Sequence, residues 1–309
     1  MENRNGFQRK ELGELLSQQQ PKEGKKSLLD KVKSTKFDAE KPIAFPNYVC
    51  TCNIENKQFF IGALSHLVVV TGKSKSRKST FLGALCSAFL DKQSHLGFNL
   101  SNEYKTMLYF DTESLESDFQ YSQHLILKNA AIPFGITPAN LEAYQLIDFS
   151  PAERLQIVCE MVDSAQNLGF LVIDGIADLI TNFNDLEQSY ALIAKIQSWQ
   201  KRGILVFLVI HENPTKGEQK MRGHLGTLLE QKANTVIGVT KNTDNDLSIV
   251  SCKASRKVGF PSFSFGQNEH GLAKSESELA DEALFKSLQG QYPELAVSSV
   301  IVNDSDVPF

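Results

Sequence analysis

The run Leu67-Val68-Val69-Val70-Thr71 leads directly into Gly72-Lys73-Ser74-Lys75-Ser76-Arg77-Lys78-Ser79-Thr80, and a helix-compatible stretch follows. A strand, a short glycine-led loop and a helix in that order keep the G-x-x-x-x-G-K-[ST] spacing at every position but one. Backbone N–H groups of such a loop and of the helix start point at one spot, where the helix dipole favours a phosphate. On this reading Gly72 to Thr80 cradle a nucleotide. Lys78 bridges its outer phosphates, and the Ser79 hydroxyl binds Mg²⁺. The departure is Arg77, which stands where the pattern has glycine. Glycine there tolerates positive φ and close packing, so Arg77 is expected to strain the loop or alter the nucleotide's pose.

Three further runs are apolar at consecutive positions: Thr106 to Phe110, Phe170 to Ile173 and Ile204 to Ile210. That is the pattern of strands covered on both faces, as in a parallel sheet. Helical stretches separate them at Ser79–Leu90, Ser117–Ala131, Ala152–Asn167 and Asp185–Lys201. The last opens on a capping box, Asp185 capping and Gln188 reaching back. Thr235–Thr240 and Leu247–Ser251 read as additional strands. The alternation predicts an α/β fold with a mainly parallel central sheet flanked by helices.

Polar residues at the strand ends carry the chemistry. Asp174 closes Phe170–Ile173 and is placed to hold Mg²⁺ through a water. Gly175 follows it, so the water-activating base must come from another strand. Glu113, in Asp111-Thr112-Glu113, supplies one at the same sheet edge. His211 ends the fourth strand and is placed to sense the γ-phosphate. Beyond it, a basic and glycine-rich loop from Thr215 to Thr227 holds Lys216, Lys220 and Arg222, the expected contacts to a nucleic-acid backbone. Lys253, Arg256 and Lys257, at the end of a later strand, are candidate fingers reaching a neighbouring subunit's γ-phosphate. Cys50 and Cys52 have no second Cys/His pair close in sequence, so they read as edge-strand cysteines, and Cys86 and Cys159 as helical core.

Charge divides the chain. Residues 1–36 hold nine Lys/Arg against five Asp/Glu, and residues 275–309 hold seven Asp/Glu against Lys286 alone, leaving a near-neutral middle in a chain of net charge −4. This predicts a basic flexible arm over 1–45, an α/β domain that carries the phosphate loop over 46–274 and an acidic tail over 275–309. Within the arm, Glu11–Ser17 and Ser27–Val32 have short helical patterns. The longest apolar run, Ile204–Ile210, is far short of the roughly 20 residues a membrane helix needs. With no apolar signal core at the start and no cysteine framework, the expected location is cytoplasmic, without a membrane partner.

The motif order GKSKSRKST, YFDTES, LVIDGIADL, VIHENP, RGHLGTLLEQKANTVIGV and KASRKVGFPSF resembles the RecA-like ATPases of the KaiC/DnaB superfamily over about residues 45–272. It looks most like the plasmid RepA-type hexameric helicases and related mobile-element ATPases. The resemblance implies a RecA-like P-loop domain that binds ATP and Mg²⁺. Lys78 and Ser79 would then hold nucleotide and metal, Glu113 would be the catalytic base and Asp174 the Walker B acid. His211 would be the sensor, with Lys253 and Arg256 in the finger region. It also implies homo-oligomeric rings, such as hexamers, acting on single-stranded DNA in replication or mobilisation of a genetic element. Lys73 falls where ParA- and MinD-like ATPases place a signature lysine, a reading the other motifs oppose. Arg77 motivates an alternative, a nucleotide-binding switch or assembly factor with little hydrolysis. The terminus Asp304-Ser305-Asp306-Val307-Pro308-Phe309 resembles the acidic tip of bacterial single-stranded-DNA-binding proteins, which implies a replication-protein partner.

Overall fold

The computed structural model describes residues 27–43, 45–101, 106–213 and 220–291. The chain divides into two compact units, residues 1–45 and 46–309. In the first, α1 (Leu28–Lys33) is capped by Ser27, whose hydroxyl accepts from the Asp30 amide at 3.1 Å, and none of its residues is buried. The candidate helix at Glu11–Ser17 lies outside the described residues, as do Lys216 and the terminus from Tyr292.

The second unit is an α/β layer structure. Its elements are β1 (Tyr48–Ile54), β2 (Lys57–Ala63), β3 (Leu67–Gly72), α2 (Lys78–Asp91), β4 (Phe98–Leu100), β5 (Thr106–Asp111) and α3 (Glu116–Asn129). They continue with β6 (Leu141–Gln145), α4 (Pro151–Ser164), β7 (Leu168–Asp174), a 3₁₀ turn (Ile176–Leu179), α5 (Leu186–Lys201), β8 (Leu205–His211) and α6 (Gly223–Lys232). Last come β9 (Thr235–Lys241), β10 (Ser248–Ser255), β11 (Phe263–Gln267), β12 (Ala273–Ser275) and α7 (Glu276–Gln291).

The large sheet runs β12-β11-β10-β9-β3-β8-β7-β5-β6. From β9 to β6 every neighbouring pair is parallel, while β10, β11 and β12 extend it as an antiparallel meander. The consecutive apolar residues of each central strand divide between two cores. On β3, Val68 and Val70 face one apolar layer with α2 and α3, while Leu67 and Val69 face the other, with α4, α5 and α6. That double coverage is why these strands read as unbroken apolar runs rather than as alternation.

Several expectations need correction. Cys50 and Cys52 are not on an edge: β1 is the middle strand of a separate three-stranded antiparallel sheet, β2-β1-β4, and both thiols are fully buried. Burial pushes the Cys52 thiol up to about 12, which keeps it from reacting as a thiolate. The capping box on α5 is only half made. Asp185 accepts from the Gln188 amide at 2.9 Å, but the Asp185 amide already bonds the Asn182 carbonyl. Gln188 therefore accepts from Thr181 and Asn182 instead. A complete box sits on α4, where Ser150 and Glu153 cap each other across Pro151. The stretch read as a loop to Thr227 becomes helical from Gly223, and the stretch read as an acidic tail begins with α7, packed on β11 and β12.

Candidate active site

Register places the ends of four parallel strands side by side. Gly72 pairs with His211, Asp111 with Asp174, and Asp174 with Val209, so the residues leaving β3, β8, β7 and β5 share one sheet edge. Gly72 has a steric reason to be glycine: a Cβ there would lie 2.1 Å from the Val239 carbonyl oxygen of the neighbouring strand. From Gly72 the chain passes through Lys73, Ser74 and Lys75, all exposed, into α2. Arg77 is the N-cap of that helix and makes no side-chain cap, so the first amides of α2 are left for another acceptor.

Lys78 turns its ammonium back under the loop. Its Nζ donates to the Lys73 carbonyl at 2.8 Å and lies 3.2 Å from His211 Nδ1. An ammonium has no lone pair to offer, so Nδ1 accepts and the imidazole proton sits on Nε2. Nε2 donates to Glu113 Oε1 at 3.0 Å. Lys78, His211 and Glu113 thus form one chain from the start of α2 through the end of β8 to the turn after β5. Burial lowers the Lys78 ammonium below the usual lysine range, against the pull of Asp174, Glu113 and Glu212. The His211 hydrogen bond holds the Glu113 carboxyl below the usual carboxylate range, with burial opposing and Lys78 and Arg222 reinforcing it.

Glu113 owes its position to Asp111. One oxygen of that carboxylate accepts from the Glu113 amide at 2.9 Å and the Ser114 amide at 2.8 Å, which turns the chain sharply after β5. Thr112 ties the same turn to β7. Its hydroxyl lies 3.0 Å from the Asp174 carbonyl, the Gly175 carbonyl and Asp178 Oδ2, one proton serving three acceptors in turn. Gly175 has φ 105, and a Cβ there would meet the Thr112 hydroxyl at 2.1 Å, which explains why no glutamate follows Asp174.

Asp174 is buried at the end of β7. Tyr109 donates to its Oδ2 at 3.2 Å, and the Ser79 hydroxyl bonds it as well. Burial raises its carboxyl to about 6. The Ser79 hydroxyl and Asp174 carboxylate therefore meet at one point, and a hydrated Mg²⁺ beside a phosphate needs only such a sparse protein donor set. Among the described residues, no cluster of three His, Cys, Asp or Glu side chains could hold a metal by itself.

Two cavities adjoin. One, of about 190 Å³, opens beside Ser79 and Thr80 between α2, α3 and the β11–β12 turn, with Gly83, Tyr121, Leu125 and Gln267 in its wall. The other, of about 390 Å³, lies beyond His211 and Glu113 and is lined by Arg154, Asp178 and Arg222 among others. Arg222, expected on a phosphate-gripping loop, caps α6 instead, with its guanidinium carbon 5.1 Å from the centre of the Phe183 ring. Lys220 is exposed, and its carbonyl accepts from the Asn213 amide.

Of the finger residues, Lys253 borders this site within one chain, and Arg256 does not. Lys253 is ion-paired to the buried Glu212, next to His211. Arg256 is exposed at the far end of β10, where its amide bonds the Asn234 carbonyl before β9. Because β9 runs parallel to β3, that is the sheet edge opposite Gly72. Asp111 and Thr112 support Glu113, as their place in Asp111-Thr112-Glu113 suggests, whereas nothing in the sequence marks Tyr109 or Arg154. Tyr109 reads as one more apolar strand residue.

No model of a known protein family matches the sequence, and no curated protein matches it. Among the described residues, no helix is long and apolar enough to cross a membrane.

Proposed function

We propose that this chain is a RecA-like P-loop ATPase that requires Mg²⁺ and acts on DNA as a helicase-like motor of a mobile genetic element. One observation carries the reading. A glycine-led loop with an uncapped helix start, Lys78, the Ser79–Asp174 pair and the Glu113–His211 pair all converge at one end of four adjacent strands.

In the proposed reaction the loop amides and Lys78 bind the β- and γ-phosphates, Lys78 exchanging the Lys73 carbonyl and His211 for phosphate oxygens. Ser79 and, through a water, Asp174 would hold Mg²⁺, which would supply neutralisation of the phosphate charge. Glu113, ionised and released from His211, takes a proton from the water that attacks the γ-phosphorus in line as the bond to the β-phosphate oxygen breaks. His211 touches both Lys78 and Glu113, so it senses whether phosphate or Lys78 is its neighbour. The cavity beside Ser79 and Thr80 adjoins the loop on the side where the nucleoside would extend. Lys216 and Lys220 follow the strand that His211 ends, which places a candidate DNA contact one step from the sensor.

A second reading is favoured by the same network: Lys78 and Glu113 are both satisfied by His211, which suits a nucleotide-binding switch with slow turnover. The deciding experiment measures MgATP turnover with and without single-stranded DNA, alongside ATP binding and a sizing run. DNA-stimulated turnover by a ring supports the motor. Tight binding with negligible turnover supports the switch, and absence of ATP binding removes both.

A further inference from the structure

Arg77 marks the one departure from the glycine pattern, and its surroundings show what stands in for glycine. It has φ 69 and ψ 30, a left-handed conformation. A side chain disfavours that conformation by about tenfold. The Arg77 guanidinium is turned away from the phosphate cradle. Its Nη2 lies 2.6 Å from Asp246 Oδ2, and its Nη1 donates to the Asp246 carbonyl. Asp246 lies in the hairpin between β9 and β10, and its other carboxylate oxygen pairs with Lys241 at 2.8 Å. Since β9 flanks β3, this hairpin stands beside the loop at the nucleotide end of the sheet. Arg77 is largely buried, although Asp246 is exposed. An exposed ion pair alone contributes little, but a guanidinium gripped at two points has its direction fixed.

We propose that Arg77 is a positioning residue: gripped by the hairpin at Asp246, it holds the phosphate loop in the shape that glycine adopts unaided. Nucleotide affinity is thereby linked to the conformation of the β9–β10 hairpin. The link to affinity rests on the nucleotide-binding reading above; the grip on the loop does not.

The test uses the full chain and two readouts: amide hydrogen exchange over residues 72–80 without nucleotide, and calorimetric titration with MgADP. Asp246→Ala and Arg77→Met should each speed exchange and weaken MgADP binding by about five- to tenfold, the reach of one left-handed residue. Adding Arg77→Gly to Asp246→Ala should recover both, because glycine needs no grip. Unchanged exchange in Asp246→Ala overturns the proposal, as does a double variant no better than Asp246→Ala, which would make the arginine charge the active feature. Unchanged exchange with normal MgADP binding overturns the grip and leaves the nucleotide reading standing. The expected exchange pattern without MgADP binding in the parent chain does the reverse.

Discussion

At the scale of single residues, Lys78 and Glu113 occupy the two ends of one hydrogen-bonded chain through His211, yet their assigned jobs differ. In the proposed reaction Lys78 holds phosphate in the ground state, whereas Glu113 handles a proton only as the reaction proceeds. Lys78→Ala should therefore abolish measurable ATP binding. Glu113→Gln should keep binding within a few-fold and lower turnover by about a hundredfold or more, the usual worth of a general base. Binding calorimetry and single-turnover hydrolysis on both variants check this, and full turnover by Glu113→Gln would remove the base assignment. Glu113 and His211 were legible because each stands at or just past the end of a β-rich run, and Lys78 because it stands at a fixed spacing from Gly72, which ends another. Tyr109 was not. Its hydroxyl reaches Asp174 across 65 positions of chain, a contact created only when β5 and β7 pair. Arg222 was misplaced for a similar reason: nothing local to it announces Phe183 or the start of α6.

Among the elements, the fully covered strands and their helices were readable because burial on both faces leaves an unbroken apolar run. The three-stranded sheet was not, since β4 has three residues and gains its meaning from what Phe98 touches. That ring lies 5.3 Å from Phe81, 5.8 Å from Phe260 and 6.1 Å from Phe263, joining the small sheet to α2 and β11. Phe98→Ala should destabilise the fold by about 3–5 kcal/mol, the range for emptying a buried aromatic site, read by denaturant unfolding. A loss under 1 kcal/mol would mean the small sheet is not a load-sharing part of the core. The turn between β2 and β3 makes a pH prediction. Burial lowers the His66 imidazole below its ordinary 6.5, and the charges of Arg256 and Lys257 lower it further. The unfolded chain then takes up the proton more readily than the folded one. The stability owed to neutral His66 is whole above pH 6.5 and declines as pH falls from there through the folded value. His66→Phe, which keeps a ring edge-on to Tyr48, should show a shallower fall in melting temperature between about pH 7 and pH 5 than the parent. Parallel curves for the two proteins would reject this.

For the whole molecule, what one chain lacks is as informative as what it brings together. The end of the sheet proposed to bind nucleotide holds Lys78, Glu113, Asp174 and His211, but Arg256 sits exposed at the opposite end of the strands, and Lys253 is paired with Glu212. An arginine at that edge can meet a γ-phosphate only in another copy, stacked head to tail so that one chain's far edge faces the next chain's loop. Such heterologous contacts close into rings when the rotation allows, which is the assembly the proposed motor calls for. The arrangement makes a strong prediction for mixed assemblies. Lys78→Ala and Arg256→Ala should each be inactive alone, the first lacking phosphate contact and the second lacking the neighbour's charge. Mixed in equal amounts and allowed to reassemble, they should regain about a quarter of the parent rate, because random mixing pairs an intact Lys78 with an intact Arg256 at that fraction of interfaces. A site completed within one chain predicts no regain at all, since every chain in the mixture carries one lesion. Sizing of the mixture must show co-assembly. With co-assembly established, a rate that stays at zero would exclude Arg256 as a residue acting across the interface.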